Sequence, residues 1–500
     1  MSAPARGASP AVLARVLALF GALAGALLLA PGPACGRAAD IVRPKHVILV
    51  VVDTLRADRL GCYGYPRDTS PHLDALAAEG ALYLNHRAQG SWTRPSMISM
   101  MSGSYVFAPE EVLPAALPTL AERVRASGRR TAAFVGNALL TGDRGFQRGF
   151  DHFEALAPLP RAGRAAAMFR RFYDWVGRER DSIGSGPGLF VWLHVMDPHA
   201  PRRPEPHHAA LFTGDPPGLP GLLARWSAAD GDPGRLPDVP GERDFDAAVA
   251  EIVKEQNLYD GEVRSADEEL GRLVDFLRDE GLWEDTLLIV ASDHGEQLWE
   301  RPVAPESLRL FLSRAAPLGG LTDRFDVGHG MSLYDEAWRT PFVMRGPGVP
   351  AGVREERLSC NLDVVPTVLE ACGLPVPREL PGRSLFGGRA PGHDVVFGYS
   401  HHRVGAVDAR GMKYVDASAW RARLDASLSD PAADGPAEAL HDLAADPGEA
   451  ADLGPVRPEE LSRFRRLVED WRRRSARPVD DTLSPGDRAA LLELGYVEDG

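Results

Sequence analysis

The feature that most constrains this fold is HVILVVVD, which is apolar and mostly β-branched from Val47 through Val52 and ends in Asp53. A strand with one wet face would alternate polar and apolar residues. An unbroken run instead belongs at the centre of a parallel sheet covered on both faces. Two further runs have the same form: LFVWLHVMD ends at Asp197, and TLLIVASD ends at Asp293. Helical stretches lie between them. SPHLDALAAEG offers Ser70 as an N-cap, Pro71 in the first turn and Gly80 just past the end. LGRLVDFLRDEG places Leu270, Leu273, Val274 and Leu277 on one helical face. This alternation predicts an α/β sheet with helices on both faces, and ligands of such sheets bind beyond the carboxyl ends of the strands. Asp53, Asp197 and Asp293 are therefore expected at one rim.

The chain has 500 residues, enough for a large domain with a satellite. Residues 1–39 carry Arg6 and Arg15 ahead of VLALFGALAGALLLA and small residues up to Cys35, which reads as an export signal cleaved after Ala34. The alternatives are a lipoprotein signal with Cys35 lipidated, or a membrane anchor, for which the run is short against the ~20 residues a span needs. Residues 40–390 are expected to form the catalytic domain. In residues 391–500, VVFGYSHHRVGAVDARGMKYVDA reads as short antiparallel strands and EELSRFRRLVEDWRRRSA as a terminal helix packed on them, a small α+β domain. Residues 201–245 and 299–327 interrupt the alternation as long loops of the kind that cover sites. The net charge of −14 argues against a nucleic-acid partner but not against a small anionic substrate. Cys360 and Cys372 either close a short disulfide or lie buried as thiols, with Cys62 left over.

Five polar elements follow strands or occupy rim loops: Asp53, Thr93 in SWTRPS, HVMDPH at 194–199, Asp293 with His294 in SDHG, and GHG at 328–330. An adjacent Asp and His at a strand end supply one oxygen and one nitrogen to a divalent cation. The competing reading is a turn in which Asp293 caps the next helix. His199 lies in a rigid DPHAP turn, and His329 is flanked by two glycines that allow close approach. His194 is as readily a satisfied core histidine as a site residue. A helix starting after Pro95 would turn free N–H groups toward an anion.

Seven segments, VVVDTLRADRLGCYGYPRDTSPHLDALAAEG, SWTRPSMISMMSGSY, MDPHAP, SDHGE, GHGMSLYDEAWRTPFVMRGPG, LDVVPTVLEACGL and LHDLAADPGEAADL, resemble the sulfatase family of the alkaline phosphatase superfamily, in the same order. The resemblance runs from about residue 45 to the final LLELGYVED. It implies an alkaline-phosphatase-like fold: a mixed, mostly parallel central sheet with helices on both faces. It also implies that Asp53, Thr93, Asp293 and His294 hold one divalent ion, with Ca, Mg, Mn or Zn all compatible. Thr93 takes the nucleophile position, and His199 and His329 contact the transferred group or protonate the leaving oxygen.

The departures from that pattern bear on the chemistry. Where sulfatases carry C-x-P-S-R, with Cys or Ser oxidised to formylglycine, this chain has Thr93, Arg94, Pro95, Ser96 and Met97. A threonine carries a methyl group on Cβ and cannot give that aldehyde hydrate. Thr54 stands where the second Asp of an Asp-Asp pair is usual, and His294 where many sulfatases have Asn. The expectation is an exported, metal-dependent hydrolase of sulfate or phosphate esters, periplasmic, surface-anchored or secreted. It would act on small-molecule, glycan or lipid esters through a covalent Thr93 ester, with any membrane contact through the N-terminus only. The alternatives are a phosphoryl-group transferase of the phosphoethanolamine or phosphoglycerol type, or an inactive binding protein that kept the fold.

Overall fold

The strand β1 (His46–Val52) is buried along its whole length and pairs in parallel with β5 (Leu189–Val195) and β6 (Thr286–Ala291). The computed structural model describes residues 41–106, 112–155, 164–221, 245–302, 325–330, 332–388, 391–400, 403–419 and 436–475. With β2 (Ala81–Tyr83), β3 (Arg130–Val135), β4 (His152–Ala155), β7 (Phe342–Arg345) and β8 (Val353–Glu355), these strands make one eight-stranded sheet in the order β8-β2-β7-β6-β1-β5-β3-β4. Only β7 runs antiparallel to its neighbours β6 and β2, so the sheet is mixed and mostly parallel, as expected. The proposed export signal and Cys35, and the final LLELGYVED, lie outside the described residues. No helix among the described residues is long and apolar enough to cross a membrane.

One sheet face presents Ile48, Val50, Val52, Leu193 and Val290 to the helices α1 (Pro71–Glu79), α3 (Ala165–Ser185) and α4 (Phe245–Asp279). Leu270, Leu273, Val274 and Leu277 of α4 all enter this layer, so the helical periodicity reads correctly. The start of α1 departs from expectation. Ser70 occupies the N-cap without a capping bond, and the amides of His72 and Leu73 donate instead to the Asp267 carboxylate of α4. A carboxylate supplied by a neighbouring helix satisfies the same orphan donors and ties the two helices together. On the opposite face lie α2 (Thr93–Ser102), buried at every residue, and α5 (Val364–Ala371).

A second, antiparallel sheet runs in the order β9 (Val395–Ser400), β10 (Arg403–Asp408), β11 (Met412–Asp416) and β12 (Glu438–Asp442). The terminal helix α6 (Pro458–Ser475) lays Phe464, Val468 and Trp471 against Phe397, Tyr414 and Leu440 of these strands. This sheet also braces the rim of the first. Ser91 N donates to Tyr399 O at 3.2 Å, Tyr399 N to Gln89 O at 2.9 Å, and Ser400 Oγ to Gly330 O at 2.5 Å. Both the loop that leads into Thr93 and the GHG loop are thereby anchored. Cys360 and Cys372 carry free, buried thiols, so the disulfide alternative is wrong and the buried-thiol alternative holds.

Candidate active site

Strand register assembles the centre of the site. Val51 of β1 is level with His194 of β5 and with Ala291 of β6. Because side chains alternate faces with a period of two, Asp53 and Asp293, each two residues beyond that level, point to the same face as His194. All three are fully buried. His194 therefore joins the site that the sequence alone left it equally free to miss. Asp197, also at this rim, does not join: its carboxylate accepts from Ala165 N at the start of α3 at 2.7 Å and pairs with Arg164 at 3.2 Å.

Thr93 is the first residue of α2, which starts three residues earlier than the expected start after Pro95. Pro95 falls within the first turn, where the missing N–H costs no intrahelical bond. Ser96 Oγ donates to Asp293 O, and Asn361 Nδ2 donates to Ser292 O at 3.1 Å, so α2 is fastened to the end of β6. Thr93 Oγ1 lies 3.2 Å from His294 Nε2. The same nitrogen is 3.4 Å from Asp293 Oδ2 and 3.7 Å from Asp53 Oδ1. The His294 ring is set by Nδ1 against Gly295 O at 2.8 Å. Gly295 permits this placement because a Cβ there would come within 2.0 Å of Glu336 O.

His199 and His329 complete the arrangement. The His329 ring centroid is 4.3 Å from that of His294 and 5.2 Å from that of His199. Gly328 and Gly330 hold the flanking left-handed backbone, with φ of 90° and 88°. His199 Nδ1 lies 2.5 Å from Ala200 O, which orients the ring. Burial first, and then the neighbouring His329, push the His199 imidazole down to about 3, so it is neutral at working pH. His329 Nδ1 donates to Glu296 Oε1 at 3.1 Å, and Arg202 Nη2 donates to the other oxygen of the same carboxylate at 2.9 Å. Burial raises Glu296, but His329 and Arg202 outweigh it and hold the carboxyl down at about 2.

The residues around Asp53 and Asp293 fit a divalent cation. Asp53 Oδ1, Asp293 Oδ2 and both ring nitrogens of His194 are buried with no hydrogen-bond partner among the described residues. Asn137 Nδ2 donates to Asp53 Oδ2 at 2.7 Å, and Thr54 N and His294 N donate to Asp293 Oδ1 at 3.3 and 2.9 Å. One oxygen of each carboxylate is thus satisfied, and the other lies within 4 Å of His294 Nε2. Burial, together with repulsion from Asp293, raises Asp53 well above the usual carboxylate range. Two buried carboxylates in this position cost free energy unless positive charge joins them.

The structure brings Asp53, Thr93, Asp293, His294, His199 and His329 together at one rim. Sequence reasoning missed Asn137 and Glu296. Asn137 directly follows the strand-like run FVG, and Glu296 ends the quoted SDHGE segment, so strand-end position was an available signal for the first and motif membership for the second.

Known proteins resemble this chain in sequence and in fold. The sulfatase family model matches residues 45–374. Human (Homo sapiens) arylsulfatase A is 27% identical over 487 residues, covering 85% of this chain and 87% of its own length. The Δ4,5-hexuronate-2-O-sulfatase of Bacteroides thetaiotaomicron is 23% identical, over 88% of this chain and 91% of its own. Among solved structures, the phosphonate monoester hydrolase of Agrobacterium radiobacter superposes with a TM-score of 0.63 at 20% identity, covering 87% of this chain and 96% of its own.

Proposed function

The chain belongs to the sulfatase family, which makes it an ester hydrolase, and from that premise we propose that it cleaves sulfate or phosphate esters through a covalent ester on Thr93. The observation that carries this reading is Thr93 Oγ1, placed at a helix start 3.2 Å from His294 Nε2, beside two buried carboxylate oxygens that have no donor among the described residues. Asp53, Asp293, His294 and Thr93 would hold a divalent ion, which neutralises charge on the carboxylates and the ester and makes the threonine hydroxyl more acidic.

The remaining steps belong to the chain. The hydroxyl of Thr93 gives up its proton to water as its oxygen attacks the sulfur or phosphorus, and the bond to the leaving oxygen breaks. The N–H groups at the start of α2 would face the anion. His329, with its ring oriented by Glu296, delivers the proton to the leaving oxygen. His199, neutral, removes a proton from the water that then attacks the Thr93 ester, and the departing Thr93 oxygen takes a proton back to restore the hydroxyl. A formylglycine sulfate would collapse to an aldehyde, whereas a threonine ester needs this second displacement. That requirement suits phosphoryl chemistry, where positioning and charge neutralisation dominate. It also suits transfer to an alcohol in place of water.

The test is a panel of sulfate, phosphate-monoester, phosphodiester and phosphonate substrates, with mass-spectrometric trapping of an adduct on the peptide that carries Thr93. Turnover of at least one class with a sulfate or phosphoryl mass on Thr93 is expected. Inactivity on all four classes would sink the reading, and product release only when an alcohol is added would turn it into a transferase.

Glu296→Gln is expected to lower kcat by about 10²-fold on esters with poor leaving groups. Activated aryl esters, whose leaving oxygen needs little protonation, should lose far less. Equal losses across leaving groups would place Glu296 in structure and not in proton delivery.

A further inference from the structure

His194 is the one residue in this centre whose expected role does not match its surroundings. A buried histidine that merely fills a core satisfies at least one ring nitrogen. His194 is 0% exposed, and neither Nδ1 nor Nε2 has a hydrogen-bond partner among the described residues. Its Nε2 lies 4.0 Å from Asp293 Oδ2, the oxygen without a partner among the described residues, and 3.8 Å from Asp53 Oδ2, the oxygen that also accepts from Asn137. Two ligands that each sit about 2.0–2.2 Å from one ion lie about 3–4 Å apart. Asp53, His194 and Asp293 also form a group whose ligand atoms all fall within 4.8 Å of one another. The register argument is independent of these distances, because Val51 level with His194 and with Ala291 forces all three side chains to one face.

A second departure meets this one. Thr54 stands where a second carboxylate would extend the oxygen set. Its backbone sits in the left-handed region at φ 57°, and its Oγ1 is buried without a partner. A β-branched residue in that region is strained, and such strain concentrates at functional positions. The centre therefore lacks one carboxylate and has one imidazole beyond His294.

We propose that His194 is a metal ligand which takes the place of the missing carboxylate, so that two imidazoles and two carboxylates make the centre selective for a borderline ion of the zinc class. Calcium requires six to eight oxygen ligands, and this centre offers too few; imidazole favours Zn over Ca and Mg. The proposal rests on the reading of Asp53, Asp293 and His294 as a metal centre, and its test separates the two.

Metal-stripped full-length protein is titrated calorimetrically with Zn²⁺, Co²⁺, Ca²⁺ and Mg²⁺, alongside the His194→Asn, His194→Asp and Asp53→Asn variants. Loss of an outer-shell partner costs about 10–100-fold in metal affinity, so loss of a ligand should cost His194→Asn at least ~100-fold for Zn²⁺. Its weak Ca²⁺ binding should barely move. His194→Asp should regain an oxygen ligand and shift the Zn²⁺-to-Ca²⁺ ratio toward Ca²⁺. X-ray absorption of the Zn²⁺-loaded wild type should count two imidazoles at the metal, a measurement that needs no variant to fold. Unchanged Zn²⁺ affinity in His194→Asn, or a single imidazole at the metal, overturns the assignment of His194. If Asp53→Asn abolishes binding while His194→Asn does not, the centre survives and only His194 is removed. If the wild type binds no ion, both fall.

Discussion

Thr93→Ala is expected to lower kcat by about 10⁴-fold or more while the protein stays folded. Loss of a covalent nucleophile removes a step that no neighbour supplies, and residual rate then comes only from binding and charge stabilisation. The cost to stability should be small. The Thr93 hydroxyl contacts only His294 Nε2 among its side-chain hydrogen bonds, and α2 is held by Ser96, Asn361 and its buried Met97, Ile98, Met100 and Met101, none of which changes. A change within about 1 kcal/mol is expected from chemical denaturation. Thr93→Ser keeps the hydroxyl and should keep turnover, with the same adduct trapped on Ser. Full activity in Thr93→Ala would remove Thr93 from the mechanism, and an inactive Thr93→Ser would mean that the threonine methyl group, not only its hydroxyl, is needed.

The second large effect concerns Asp53. Its folded carboxyl is held above its ordinary value of about 3.9, so between that value and the higher folded one the native state binds the extra proton. The sign follows from linkage: native stability is fully present below the unfolded value and falls as pH rises through that window. Chelator-treated protein should therefore lose stability as pH rises above about 4, and a divalent metal should restore it. Asp293 moves the other way. Burial raises it, but His294 and His194 outweigh that and lower it to about 2, so its contribution is lost only when pH falls toward that value. The two windows do not overlap. Asp53→Asn should flatten the slope above pH 4 and stabilise the metal-free protein at neutral pH by about 1–3 kcal/mol. The same change should abolish both the metal response and turnover. A chelated wild type as stable at pH 7 as at pH 4, or an Asp53→Asn variant still stabilised by metal, would contradict this account.

Relief of the like-charge pair also separates a functional cost from a structural one. Most buried substitutions destabilise. Here the carboxylates are unfavourable for the metal-free fold and favourable only with a cation between them. Stability gained and activity lost in one variant is thus the signature expected of a built metal centre.

Much of the architecture was legible in the chain itself. The unbroken β-branched run that ends at Asp53, and its counterpart that ends at Asp293, identify buried parallel strands, because only a sheet covered on both faces tolerates them. Strand-end position then puts both carboxylates on one rim. The motif around Thr93 marks the position where the family resemblance expects the nucleophile, and a threonine there cannot give the formylglycine aldehyde. These are local or one-dimensional properties of the chain. Side-chain partnership is not. Asp197 and Asp293 follow equally apolar strands, yet Asp197 is consumed by the start of α3 while Asp293 keeps a free oxygen. Glu296 and His329 meet only because a hairpin brings Gln297 level with Gly328. Asp267 caps α1 from another helix in place of Ser70. His194 is the clearest case: its parity within β5 can be read from the sequence, but parity assigns a face only once the strand is in register with its neighbours. Register comes from packing across the whole sheet, so tertiary structure alone decides whether that imidazole sits in the core or between two aspartates.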